Sequence, residues 1–168
     1  MARIPSALRE QMASVIDGAA PWPMTLLGAV GAGKTCAALA LCDHVYRSMY
    51  ESFAGHCDLL RMAQEGKLEW YSNGQGGKTT APQVWKGYRD APLVVLDEIG
   101  SREKVSDFQY SCLYDMLENR ECKPLILISN LSLEELARVF DERIVSRIIA
   151  GTPIFVEGAD MRDPRSKG

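Results

Sequence analysis

Residues 28–35 read Gly28-Ala29-Val30-Gly31-Ala32-Gly33-Lys34-Thr35, the pattern G-x-x-x-x-G-K-[ST]. Glycines let a chain fold closely around an anion, and successive N–H groups at a helix N-terminus point at phosphate oxygens. In that arrangement Lys34 reaches the β- and γ-phosphates and the Thr35 hydroxyl is a ligand for Mg2+. Cys36 follows directly and completes the candidate nucleotide-binding stretch. The alternative is a plain glycine-rich turn between a strand and a helix. A chance match of the octapeptide has a probability of about one per cent or less at ordinary residue frequencies, which favours the phosphate reading. A second G-K-T, Gly77-Lys78-Thr79, has Ser72 where the first glycine belongs and no buried strand before it, so it reads as a loop.

Two carboxylates end the apolar run Leu93-Val94-Val95-Leu96. Asp97, at the strand tip, is placed to hold Mg2+ through water opposite Thr35, and Glu98 to polarise an attacking water. The pair favours hydrolysis, because a kinase takes its nucleophile from the acceptor. A second apolar run, Leu125 to Ile128, leads into Ser129-Asn130. An amide at that tip would sit at the γ-phosphate and help align water with Glu98; opening a turn or capping the next helix is the other role open to Asn130. In Asp141-Glu142-Arg143-Ile144-Val145-Ser146-Arg147-Ile148-Ile149, helical geometry puts Arg143 and Arg147 within about 40° of each other. Ile144, Val145, Ile148 and Ile149 cover the core-facing arc. The two arginines are either a solvated basic face paired with Asp141 or Glu142, or an arginine finger entering a neighbouring subunit's nucleotide site.

These residues need elements to position them. Ser6 to Asp17 spaces Leu8, Met12, Val15 and Ile16 at helical intervals, with Gly18 as a stop. Met24 to Leu27 reads as a buried strand, and about Lys34 to Phe53 as one long helix apolar on several faces. The runs at 93–96 and 125–128 each follow a proline and lack polar alternation, the habit of parallel strands covered on both faces. Capping boxes at Ser106/Gln109 and Ser132/Glu135 open two helices. A last helix covers about 141–149, and Pro153 to Val156 forms a final strand. Glu65 to Arg89, with Trp70, Tyr71, Trp85 and Tyr88 among glycines, reads as loop with short helical pieces. The 62 positions between Thr35 and Asp97 leave room for a helix, a further strand and another helix. Strands alternating with helices make the class α/β with a mainly parallel sheet.

The chain has 168 residues, a size for one domain that needs no disulfide or metal staple. Its composition is 46% hydrophobic and 24% charged, which excludes disorder and fibres, and no apolar run approaches the roughly 20 residues of a membrane helix. A net charge of −3 argues against a surface built throughout to grip nucleic acid, and any DNA affinity should be modest and salt-dependent. Five cysteines without a C-x-x-C pair read as buried small hydrophobes in a reducing cytosol. With no apolar signal core after Met1, the expected location is cytoplasmic.

The ordered set of P-loop, L-V-V-L-D-E, I-S-N strand tip and D-E-R-I-V-S-R-I resembles the AAA+ ATPases of the initiator and helicase-loader clade, above all the DnaC/IstB type. The resemblance covers about 24–162. It implies a P-loop NTPase (ASCE/AAA+) fold with a five-stranded sheet between helices, ATP and Mg2+ as ligands, and a homo-oligomer, ring or spiral, in which Arg147 is the finger in trans with Arg143 in support. Arg162 matches the sensor II arginine, although Asp160 replaces the usual serine. Only 21 residues follow Arg147, so no helical lid is expected, and the 23 residues before the first strand are too few for a helicase-binding domain. The expected organisation is a lead-in helix at 1–23, an ATPase domain at 24–162 and a tail at 163–168.

The function this implies is ATP hydrolysis at subunit interfaces by a loader of a replicative helicase on single-stranded DNA. An IstB-like helper of a transposase uses the same core. A small P-loop kinase and a non-hydrolysing P-loop module are the remaining alternatives; the first would need an acceptor lid that the S-R box does not supply. Trp70 and Tyr71, beside Lys67 and Lys78, either stack bases or pack locally.

Overall fold

A computed structural model describes residues 4–72, 75–101 and 104–157. Five parallel strands form its centre: β1 (Met24–Leu27), β2 (Met49–Ser52), β5 (Val94–Ile99), β6 (Leu125–Ser129) and β7 (Thr152–Phe155), in the order β2-β5-β6-β1-β7. A hairpin of β3 (Glu69–Ser72) and β4 (Gln75–Lys78) stands apart from this sheet. The helices are α1 (Ser6–Ile16), α2 (Lys34–Cys42), α3 (Phe53–Gln64), α4 (Ala81–Asp90), α5 (Asp107–Asn119), α6 (Leu133–Val139) and α7 (Glu142–Ala150).

The unbroken apolar runs are explained by the pleat. Val94 and Leu96 of β5, with Leu125 and Leu127 of β6, point into a core shared with α3 to α7. Leu93, Val95, Ile126 and Ile128 point the other way, into a core shared with α1 and α2. Strands covered on both sides have no solvent face on which to place a polar residue. Each such Val, Leu or Ile contributes about 1.5–3 kcal/mol of burial, so the central strands hold the three layers together. Both capping boxes form: Ser106 and Ser132 accept the N–H groups of Gln109 and Glu135 at 3.2 Å each.

Several boundaries differ from the sequence reading. The expected single helix over 34–53 is α2, a turn with Arg47 at φ 64°, the edge strand β2, and the start of α3. Met49-Tyr50-Glu51-Ser52 is half-buried and carries little hydrophobic period, so the strand left no pattern to read. Its end did: Ser52 caps α3 by accepting the Gly55 N–H at 3.1 Å. The segment 65–89 is a hairpin and a full helix, with Thr80 and Gln83 forming a capping box and Pro82 in the first turn. Trp85 and Tyr88 thereby pack into the core. Gly77 and Lys78 belong to β4. On α7, Ile149 is 54% exposed, so the core-facing arc is Ile144, Val145 and Ile148. Cys57 and Cys112 are buried as expected, while Cys36 and Cys122 are exposed. Among the described residues, no helix is long and apolar enough to cross a membrane.

Candidate nucleotide-binding site

The candidate loop leaves the carboxyl end of β1, which lies between β6 and the edge strand β7. In open parallel sheets this end is where ligands are bound. Gly28 sits at φ 141°, and a Cβ there would lie 2.3 Å from the Val156 carbonyl oxygen, so the loop passes the end of β7 only as glycine. Gly33, at φ 91°, is the N-cap of α2, and no side chain caps that helix end. The unmet N–H groups of the first turn therefore face a cleft of about 280 Å³ lined by Val30, Gly31, Gly33, Lys34, Thr35 and Cys36. Asp97, Glu98, Ile128 and Asn130 form its opposite wall. Ala32 turns its methyl into the core under α1 and α2, and Gly28 and Ala29 lie beneath the cleft with their carbonyls turned to Lys34.

Lys34 is 5% exposed, and its ammonium group donates to the carbonyls of Gly28 and Ala29 at 2.7 Å each and to Asn130 Oδ1 at 2.8 Å. Asn130 thus stands against the lysine at the β6 tip, on the wall that also carries Glu98. The Thr35 hydroxyl donates to Asp97 Oδ2 at 2.7 Å, so these two candidate magnesium ligands are adjacent. The Glu98 N–H donates to Asp97 Oδ1 at 2.7 Å. Glu98 itself has φ 61°, at a register slip between Leu96 and Ile99 in the β5–β6 pairing. That bulge turns Glu98 out to the cleft while Asp97 and Ile99 stay buried. A left-handed glutamate is strained by about 1–3 kcal/mol, a cost found mostly at functional positions.

Two participants had escaped the sequence reading. Tyr50 of β2 donates its hydroxyl to Asp97 Oδ2 at 2.9 Å, and burial together with that carboxylate pushes its pKa up to about 12. Ser129 donates to the Ile99 carbonyl at 2.7 Å and accepts the Leu131 N–H at 3.1 Å, which ties the tips of β5 and β6 together beside Glu98 and Asn130. The I-S-N tip carried a signal for Ser129. Tyr50 had none while β2 was read as helix.

The donor set suits magnesium. A hydroxyl and a carboxylate are hard oxygen ligands, and Mg2+ is ordinarily held by one or two such groups together with substrate phosphates. Among the described residues, no group of three or more His, Cys, Asp or Glu is placed to hold a metal ion.

Arg143 and Arg147 lie elsewhere, in a groove between α7 and α5 that they share with Tyr114, Glu142 and Ser146. Arg143 is exposed. The Arg147 guanidinium rests over the Tyr114 ring at 4.7 Å, donates to its hydroxyl at 3.0 Å and pairs with Glu118. Asp141 instead caps α7, accepting the N–H groups of Arg143 and Ile144 at 2.9 and 3.0 Å. Arg162 lies outside the described residues, as do the side chains of Trp70 and Tyr71.

A parallel sheet with its glycine loop after β1, an acidic strand next but one to it and a polar strand tip between them defines a P-loop nucleotide-binding domain of the AAA+ type. The chain belongs to the IstB-like ATP-binding family, whose profile matches residues 12–151. No curated protein matches it. Among solved structures it is similar to AMPPCP-bound DnaA from Aquifex aeolicus, with a TM-score of 0.68 at 19% identity, over 90% of this chain and 45% of that one. A replication initiator DnaA bound to AMPPCP and single-stranded DNA gives 0.70 at 18% identity, over 95% and 48%. DnaI gives 0.62 at 22% identity, over 93% of this chain and 82% of that one. These likenesses are of fold, and the chain spans just under half the length of the two DnaA structures. Fold and family together make it an AAA+ ATPase core of the DnaC/IstB type.

Proposed function

We propose that the cleft binds ATP with Mg2+ and hydrolyses it, and that a second copy of the chain completes the site with Arg147. The observation that carries this reading is the convergence of Lys34, Thr35, Asp97 and an exposed, strained Glu98 below an uncapped helix N-terminus. The N–H groups of the loop and Lys34 hold the phosphates. When bound, magnesium supplies charge neutralisation on the β- and γ-oxygens. Glu98 orients a water for in-line attack and takes up its proton, and Asn130 steadies that water from the neighbouring strand tip. Arg143 and Arg147 lie outside the cleft of their own chain, which supports a role across an interface.

The wider role that fits this core is loading a replicative helicase on single-stranded DNA, with the subunits side by side in a ring or spiral. Helping a transposase onto its target is the second reading, favoured by the IstB-like profile. The proposal predicts turnover that rises with protein concentration and with single-stranded DNA. Glu98→Gln should bind ATP normally and lose at least about 100-fold in turnover, the scale of a general base. Arg147→Ala should bind ATP and lose about 10³- to 10⁵-fold. Full-rate hydrolysis by a strictly monomeric Arg147→Ala protein would remove the trans finger, and stoichiometric phosphate transfer to an acceptor would make the chain a kinase. Co-purification with a replicative helicase or with a transposase separates the two wider roles.

A further inference from the structure

The Asp97 carboxylate is held from three directions. Oδ1 accepts the Glu98 N–H, and Oδ2 accepts both the Thr35 and the Tyr50 hydroxyls. The Glu98 contact is made by the backbone of the next residue, and Thr35 belongs to the phosphate loop. Tyr50 arrives from a different element, the edge strand β2, in register beside β5 with Tyr50 opposite Val95 and Ser52 opposite Asp97. Tyr50 thus stands two register positions short of Asp97, and its length lets the hydroxyl cover that distance. A serine or threonine at position 50 would be too short. A lysine would reach but would place a positive charge beside a cation site. A phenol is the long donor that carries no positive charge.

We propose that Tyr50 is a positioning residue for the divalent cation of this site, fixing the Asp97 carboxylate so that Oδ2 stays turned toward Thr35. The inference rests on the nucleotide reading above and adds a residue to it that the loop and strand-tip motifs do not contain. With Tyr50 in place the carboxylate is already oriented when a cation arrives. Without it, Oδ2 loses one of two donors, the group can rotate about its Cβ–Cγ bond, and the cation must order it. The effect belongs to cation binding, since Tyr50 touches Asp97 and is not among the residues lining the phosphate side of the cleft.

The test is a titration of the full chain with a fluorescent ATP analogue, in EDTA and across a magnesium series, for wild type and Tyr50→Phe. Phenylalanine keeps the ring and removes only the hydroxyl at a side chain that is 42% exposed, and thermal unfolding within a few degrees of wild type verifies the fold. Nucleotide affinity in EDTA should stay within about twofold, while the magnesium concentration at half-effect rises about three- to tenfold, the scale of one hydrogen bond. In an Asp97→Asn background, adding Tyr50→Phe should change nothing further. An unmoved magnesium midpoint in a Tyr50→Phe protein that still binds nucleotide overturns this inference alone. Equal weakening with and without magnesium also overturns it, because Tyr50 would then act on the nucleotide or on the fold. A wild-type chain that binds no nucleotide in either condition overturns the parent reading and this one together.

Discussion

Lys34 is a buried cation whose ammonium group donates to two carbonyls and an amide oxygen. In the proposed complex the phosphates would add charge-assisted hydrogen bonds to this ammonium group. Lys34→Met keeps the stem and removes the charge. It should weaken nucleotide binding by about 10- to 100-fold, the range for losing a hydrogen bond to a charged group, as measured by the same fluorescent titration. Binding within twofold of wild type would place the phosphates elsewhere. The lysine, its glycines, Thr35, Asp97 and Glu98 were legible in the sequence because their relations are local: fixed spacing, then a strand on one side or a helix on the other. Tyr50 was not, since its partner lies 47 positions away and only strand pairing brings them together. The partner of Arg147 was hidden for the same reason. The sequence offered Asp141 and Glu142 as partners, but the carboxylate it meets is Glu118 on α5.

At the scale of elements, strands with two buried faces announce themselves as unbroken apolar runs, and helices with a capping box announce their first residue. β1, β5, β6, α5 and α6 were readable on those grounds. The edge strand β2 has neither mark, so the chain around it merged into one helix, while α4 was passed over despite Thr80, Gln83 and Pro82 at its start. Two glycines test these elements in opposite directions. Gly28→Ala forces a Cβ to 2.3 Å from the Val156 carbonyl in a left-handed conformation, and should destabilise by about 2–4 kcal/mol. Gly87, inside α4, has open space where a methyl group would stand, with nothing within 4 Å of it, so Gly87→Ala should stabilise by about 0.5–1 kcal/mol through helix propensity. Urea unfolding reads both. A Gly28→Ala protein as stable as wild type would mean that β7 does not close on the loop, and a destabilised Gly87→Ala would contradict α4.

For the whole molecule, stability has a pH limb that can be located before it is measured. His56 of α3 is fully buried between Trp85 and Tyr88 of α4, with ring centroids 5.3 and 4.7 Å away, and neither ring nitrogen has a hydrogen-bond partner among the described residues. Burial lowers its pKa from 6.5 to about 4, so the folded chain holds the imidazole neutral where the unfolded chain would protonate it. Between those two values the unfolded state binds more protons, and stability therefore falls as pH drops from about 6.5 to about 4. The full loss is about 3 kcal/mol, a large fraction of what holds a domain of this size. Glu51, on β2, works against this limb, because burial raises its pKa and folding then favours its protonated form. Asp141, whose pKa is lowered chiefly by the Ile144 N–H, adds its own loss only as pH falls through the carboxylate range. Over the interval from about 6.5 to 4.5 the loss therefore comes from His56, offset in part by Glu51 and by Asp115, whose pKa burial also raises. Urea unfolding across it should show that, as pH falls, His56→Phe, which keeps an aromatic ring between Trp85 and Tyr88, loses less stability than wild type and stays level or gains slightly through Glu51 and Asp115. Parallel pH curves for the two proteins would assign the acid sensitivity to carboxylates instead, and would mean that the α3–α4 interface admits a charged imidazole with water beside it.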